Sequence, residues 1–270
     1  MGKNIIHTIF LITVFTLLNS INAFAEEKND ILFQTSIVDA LFQGDYDGNI
    51  TFGELKKKGD FGLGTFNHLD GELVGFDGVF YQVKSDGSVH IATDSMKTPF
   101  AVVTFFEPDE VETIDKPLTC DQFKEYIVSL LPSQNIFYGI KVKGAFSYIR
   151  ARSVPEQKKP YPPLTEVAKE EVIFEFNNIN GTFAGFWLPQ YLDDINVTGF
   201  HFHFISDDKK SGGHVLECTL KNVQLEIDYI RNIDISLPDT ESFNSVNINK
   251  TTAGDVKKVE DSNKPTKEEK

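Results

Sequence analysis

Three of the six histidines in this 270-residue chain fall within GFHFHFISDDKKSGGH, residues 199–214. His201 and His203 stand two apart. On a β-strand, successive side chains leave by opposite faces, so the two imidazoles share one face while Phe200, Phe202 and Phe204 fill the other. The polar run SDDKKSGG is turn material, and the chain resumes as the strand-like HVLECTL. A hairpin here sets His214 on the neighbouring strand, close to His203. Three neutral imidazoles converging on a rigid sheet suit a divalent metal and leave coordination positions open for a ligand. The bland alternative is an exposed, His-rich strand whose rings are satisfied by backbone hydrogen bonds.

The elements that must hold such a site are short and mostly strand-like. Residues 31–44 (ILFQTSIVDALFQG) have the helical spacing of Ile, Leu, Val and Phe and close at Gly44. A turn and a short helix follow in ITFGELKKKGD, with the lysine run as a solvated face. GLGTFNHL, GELVGFDG, VFYQVKSDG, SVHIATD and FAVVTFF then alternate between apolar runs and Gly or Asp-Gly punctuation, the pattern of consecutive strands joined by tight turns. CDQFKEYIVSLL (120–131) is helical up to Pro132, IFYGIKVKGAFSYIRARSV is strand-rich, and PEQKKPYPPL (155–164) reads as a linker. Twenty-four Phe residues are ample for a substantial core.

The chain opens with a short positive start at Lys3, an apolar run from Ile9 to Leu18, and Ala23-Phe24-Ala25, a small-x-small cleavage pattern. The run is too short for a membrane span. We expect a signal peptide over 1–25 and a periplasmic or secreted protein. The net charge of −14, more negative still once Lys3 is removed, argues against nucleic acid and anionic lipid as partners. Export permits a disulfide between Cys120 and Cys218, the two cysteines, but nothing in the sequence brings them together.

Phe66-Asn67-His68-Leu69-Asp70-Gly71-Glu72-Leu73-Val74-Gly75-Phe76 aligns with Phe176-Asn177-Asn178-Ile179-Asn180-Gly181-Thr182-Phe183-Ala184-Gly185-Phe186. The likeness suggests two related β-rich units. Glu72 faces Thr182 in that alignment, and a carboxylate present in one copy only hints at chemistry rather than architecture. The expected organisation is an N-terminal β-rich unit over 26–160, a C-terminal unit with the histidines over 161–248, and a polar tail over 249–270. In that tail Val256 and Val259 are the apolar residues able to pin it to the body.

GDFGLGTFNHLDGELVGFDGVFYQVKSDG (59–87) and TPFAVVTFF (98–106) resemble the first half of α-acetolactate decarboxylases. RARSVPEQKKPYPPL (150–164) and GTFAGFWLPQYLDDINVTGFHFHFISDDKKSGGHVLEC (181–218) resemble the second half, and the likeness runs over about residues 30–240 in the same order. The resemblance implies an α+β fold of mixed and antiparallel sheet with a few helices, one zinc ion, and a homodimer. The family's zinc ligands fall on His201, His203 and His214. Its other polar site residues fall on Thr65, Glu72 and Arg152, with a tail glutamate matched by Glu260. His68 and His90 read as structural or exposed, and His7 belongs to the leader.

The implied reaction takes a small 2-hydroxy-3-keto acid, α-acetolactate, to acetoin and CO2. Loss of CO2 leaves an electron pair that a metal-stabilised enediolate accommodates. Arg152 offers a planar fork for a carboxylate or an enediolate oxygen, while Arg150 fits a surface ion pair; strand alternation puts both on one face. Glu72 is the expected proton donor, Thr65 a hydrogen-bonding support, and Glu260 a second acid or base closing over the site. Two rivals remain at this stage. A cupin-like metal oxygenase or isomerase also uses HxH on a strand, but its pattern places a glutamate soon after HxH, where this chain has Ile205, Ser206 and Asp207. An exported, non-catalytic β module that merely captures metal is the other.

Overall fold

The computed structural model describes residues 30–248 together with Val256, Val259 and Glu260, so the leader expected over 1–25 lies outside the described residues. The first strands are β1 (Ile31–Thr35), β2 (Ile50–Thr51), β3 (Phe61–Thr65), β4 (Glu72–Phe76), β5 (Val79–Val83), β6 (Val89–Ile91), β7 (Lys97–Thr98) and β8 (Ala101–Thr104). They continue as β9 (Glu110–Ile114), β10 (Leu118–Thr119), β11 (Phe137–Ser153), β12 (Val172–Leu188), β13 (Gly199–Ser206), β14 (Gly212–Ile230) and β15 (Asn232–Ser236). The helices are α1 (Val38–Phe42), α2 (Phe52–Leu55), α3 (Cys120–Leu130), α4 (Leu164–Val167) and α5 (Glu241–Ser245). None of the described helices is long and apolar enough to cross a membrane.

Two sheets carry the fold, as expected of an α+β chain. The first has the order β15-β1-β8-β3-β4-β5-β6 and is antiparallel except for the parallel pair β1–β15. In the second, antiparallel β10-β14-β11-β12-β13 is closed by an extra β13–β14 pairing, with β9 alongside β14. Alternation sorts the side chains. Leu32, Leu63, Val74 and Val102 of the first sheet join Ala184, Phe186 and Ile205 of the second in one buried cluster. Their neighbours in sequence, Phe33, Leu73 and Val103, pack on the outer face against Phe52 and Leu55 of α2. The outer face of the second sheet buries Phe183, Phe202 and Phe204 under Phe123 and Ile127 of α3. α3 begins on a capping box in which Thr119 and Gln122 satisfy each other's backbone amides.

Glycine makes β12 and β13 fit. Gly185 pairs with Phe202, and a Cβ at Gly185 would stand 2.2 Å from that ring; at Gly181 it would stand 2.3 Å from the ring of Phe204. The rings lie over the bare backbone, which fixes the opposite face of β13, with His201 and His203, toward the first sheet.

Three expectations need correction. Residues 31–35 are a strand, not the start of a helix; only Val38–Phe42 is helical. Ile31–Thr35 sits between β8 and β15 with Leu32 to Thr35 buried, and a short apolar run buried on both faces has no periodicity to separate strand from helix. Sheet membership also ignores the break expected at residue 160. β9, β10, α3 and β11 belong with the second sheet, and β15 returns to the first. The long β11–β12 ladder, from Tyr138↔Trp187 to Ser153↔Val172, spans the proline-rich linker and decides this. Finally, the two aligned segments differ in form. Asn67–Leu69 is a 3-10 turn before β4, whereas 176–186 runs inside β12.

Cys120 and Cys218 form a disulfide joining the start of α3 to β14. Sequence gave no reason to pair them; the helix docking on β14 does.

Candidate active site

β13 supplies His201 and His203, and β14 supplies His214, which faces His203 directly in the ladder. All three rings are buried. The Nε2 of His201 lies 3.2 Å from Nε2 of His203 and 3.1 Å from Nδ1 of His214. Burial, aided by the nearby charge of Arg152, pushes His201 down to about 3 and holds His203 and His214 well below the usual imidazole value. Neutral rings gathered so closely present lone pairs to a common point.

The second nitrogens confirm which atoms are available. His203 donates Nδ1–H to the carbonyl of Leu73 at 2.6 Å, and His214 has its Nε2 3.3 Å from the carbonyl of Glu260. These bonds fix tautomers that leave Nε2 of His203 and Nδ1 of His214 turned inward. Zinc–nitrogen bonds of about 2.0–2.1 Å at tetrahedral angles would put ligand nitrogens roughly 3.3–3.4 Å apart, close to the two separations from His201, and all three ligand atoms lie within 4.8 Å of one another. The donor set therefore fits a divalent metal, and it is the group of three side chains suited to one among the described residues.

Acidic side chains flank that point. Glu72, at the start of β4, brings a carboxylate oxygen to 3.6 Å from Nε2 of His203, and Glu260 does the same for His201. Burial pushes the Glu72 carboxyl up to about 7; the Arg152 guanidinium opposes this, and the charges of Glu260 and Glu171 reinforce it. Val259 is 3 % exposed within the core, which anchors Glu260 over the site. Thr65 ends β3 opposite Glu72 and lines the cavity, but its hydroxyl donates to the carbonyl of Gly71 at 2.8 Å. Arg152 stands opposite His214 in the β11–β14 ladder. Arg150 pairs at the surface with Glu217, 3.4 Å away. A register shift between Arg150 and Ala151 leaves Leu216 unmatched, so simple alternation failed to separate the two arginines.

The structure thus brings His201, His203, His214, Glu72, Arg152, Thr65 and Glu260 around one cavity of about 50 Å3. Its other wall is apolar: Val38, Leu41, Phe42, Leu69, Phe100, Val154, Leu164 and Val197. Sequence reasoning missed that wall because six separate places in the chain build it. It also missed Leu73 and Glu171. His68 is half-exposed and meets Tyr161, whose hydroxyl donates to Asp47 at 2.8 Å; His90 is exposed beside Ser88.

A two-sheet α+β scaffold thus holds a metal-competent histidine trio, two carboxylates and an arginine beside an apolar wall. Comparison with known proteins narrows the class. The family model for alpha-acetolactate decarboxylase matches residues 32–250. The alpha-acetolactate decarboxylase of Brevibacillus brevis is 43 % identical over 235 residues, covering 87 % of this chain and 82 % of that one. That of Methanosarcina mazei is 39 % identical over 242 residues, 90 % of this chain and 84 % of the relative. The crystal structure of the Bacillus subtilis enzyme superposes with a TM-score of 0.84 at 39 % identity, covering 86 % of this chain and all of the other. The chain belongs to the alpha-acetolactate decarboxylase family.

Proposed function

We propose that this protein is a zinc-dependent decarboxylase that converts α-acetolactate to acetoin and CO2. The observation that carries the reading is the meeting of three inward nitrogens, with His201 Nε2 3.2 and 3.1 Å from those of His203 and His214 and all three within 4.8 Å of one another, beside the carboxylates of Glu72 and Glu260 in the cavity that Arg152 lines. A zinc ion held by His201, His203 and His214 would supply Lewis-acid charge for the electron pair left when CO2 departs.

The chain's own residues account for the rest. Arg152 binds the substrate carboxylate or a hydroxyl oxygen through a planar set of donors, and so orients the bond to be cleaved. The apolar wall of Val38, Leu41, Phe42 and Phe100 receives the two methyl groups and excludes water. Glu72 carries a proton up to about neutral pH and delivers it to the carbon from one face, which sets the configuration of the product. Glu260 closes the opposite side as a second acid or base. Neither the oxygenase reading nor the metal-capturing module accounts for this constellation as well, and the family favours neither.

Export to the periplasm or medium, and assembly as a homodimer, are parts of the same proposal. The leader pattern over 1–25 supports the first, and a disulfide between Cys120 and Cys218 suits an oxidising compartment. The test is a colorimetric acetoin assay on purified protein whose zinc content has been measured. A preparation with one zinc per chain that forms no acetoin from racemic acetolactate overturns the reading.

A further inference from the structure

Arg152 is only 4 % exposed, yet its charge is not left alone: Nη1 lies 3.3 Å from a carboxylate oxygen of Glu171, whose side chain is 7 % exposed. At the other edge of the same guanidinium, Nε is buried and has no hydrogen-bond partner among the described residues. A buried donor without a partner is costly, and a buried ion pair is often no more stable than an apolar replacement. Such an arrangement persists where the free donor meets a ligand. Arg152 lines the cavity; Glu171 does not.

The route of the chain explains how Glu171 arrives. The proline-rich linker leads into α4, which adds Leu164 to the apolar wall, and a 3-10 turn then ends at Glu171. β12 begins at Val172, opposite Ser153, with Ile173 opposite Arg152. Glu171 is therefore placed just beyond the end of the ladder that positions Arg152. The guanidinium also stands near enough to His201, His203 and His214 to depress the basicity of all three. A dication bound by those rings would push Arg152 away, and an anion behind it opposes that displacement.

We infer that Glu171 is a positioning residue for the proposed decarboxylation: by holding the Nη1 edge of Arg152, it presents the Nε edge to a carboxylate or hydroxyl oxygen of the substrate. The inference rests on the function proposed above. It assigns Glu171 no contact with substrate, so its effect must pass through Arg152.

The experiment compares wild type, Glu171→Gln, Glu171→Asp, Arg152→Lys and the Glu171→Gln/Arg152→Lys double variant, all with zinc content and melting temperature measured. Glu171→Gln should lower kcat/KM by about tenfold, mainly through KM, with zinc retained. In the Arg152→Lys background the same change should cost less than about twofold, because the side chain it acts through is gone. Losses that multiply in the double variant, or a Glu171→Gln protein within about twofold of wild type, overturn the inference. If Glu171→Gln does not fold, Glu171→Asp decides: it should lose at least about threefold in kcat/KM at an unchanged melting temperature, and wild-type kinetics sink the idea. If wild type itself forms no acetoin, the functional reading fails separately. Calorimetric titration of the same proteins with 2-hydroxyisobutyrate then tests the positioning role. Weaker binding by Glu171→Gln, absent in the Arg152→Lys background, sustains it, and equal affinity refutes it.

Discussion

His203, in the second sheet, donates its Nδ1–H to the carbonyl of Leu73, in the first, at 2.6 Å. Leu73 follows Glu72, whose carboxylate lies 3.6 Å from the other nitrogen of the same ring. One strand of the first sheet thus sets both the tautomer of His203 and the acid beside it. The histidine trio is assembled in the second sheet against the first, and its geometry depends on their packing.

Removing that ring should remove the metal. His203→Ala leaves His201 and His214 as a pair that no longer encloses a point, and zinc measured on dialysed protein should fall from about one per chain to a small fraction. Turnover should fall on the order of a thousandfold or more. Zinc retained at full stoichiometry would show that the three rings are not the ligand set.

Replacing Glu72 separates proton delivery from metal binding. Glu72→Gln keeps the shape and loses the acidic carboxyl proton, so zinc should stay bound while kcat drops by roughly 10²–10⁴. Any acetoin formed should show reduced enantiomeric excess on chiral gas chromatography. Normal turnover with a single enantiomer would move the proton donor elsewhere, with Glu260 next in line.

The sequence made the histidine trio legible because period two, a polar turn and a second strand suffice to put His203 opposite His214. The resemblance added Glu72, Thr65, Arg152 and Glu260, and the structure brings all four to the cavity. What stayed hidden depends on contacts between distant elements. Glu171 reads as one charge among several in AKEEV, and only the β11–β12 register brings it to Arg152. Ile31–Thr35 carries an apolar pattern that serves helix or strand alike until β8 and β15 flank it and the core layers on either side of the sheet bury Leu32 and Phe33. The linker at 155–164 looks like a boundary between domains, yet the strands on either side of it pair along most of their length.

The disulfide should contribute to stability. Cys120 and Cys218 are 98 residues apart, and a loop of that size constrains the unfolded chain substantially. Reduction, or the Cys120→Ser/Cys218→Ser double variant, should lower the unfolding free energy by about 2–4 kcal/mol in a denaturant titration. The sheet that holds the histidines should still fold, so zinc binding should persist at low temperature. Identical denaturation midpoints with and without reductant would show that the bridge contributes nothing.

Asp39 gives stability a pH dependence near the cavity. It sits on α1 between the wall residues Val38 and Leu41, is buried, and has one carboxylate oxygen without a hydrogen-bond partner among the described residues. Burial first, and then the charge of Asp194, raise its pKa from 3.8 to about 6. The folded state therefore holds this proton more tightly than the unfolded state does. Between about pH 4 and pH 6 the native protein binds more protons, so its stability falls as pH rises through that window and stays lower above it. Asp39→Asn removes the penalty without changing the shape. It should stabilise the protein at pH 7.5 by on the order of 1 kcal/mol, allowing for solvent screening. The gain should vanish as the pH drops below about 4, where Asp39 is protonated in both states. Urea unfolding of the two proteins across that range provides the check, and a difference independent of pH would show that Asp39 ionises as easily folded as unfolded.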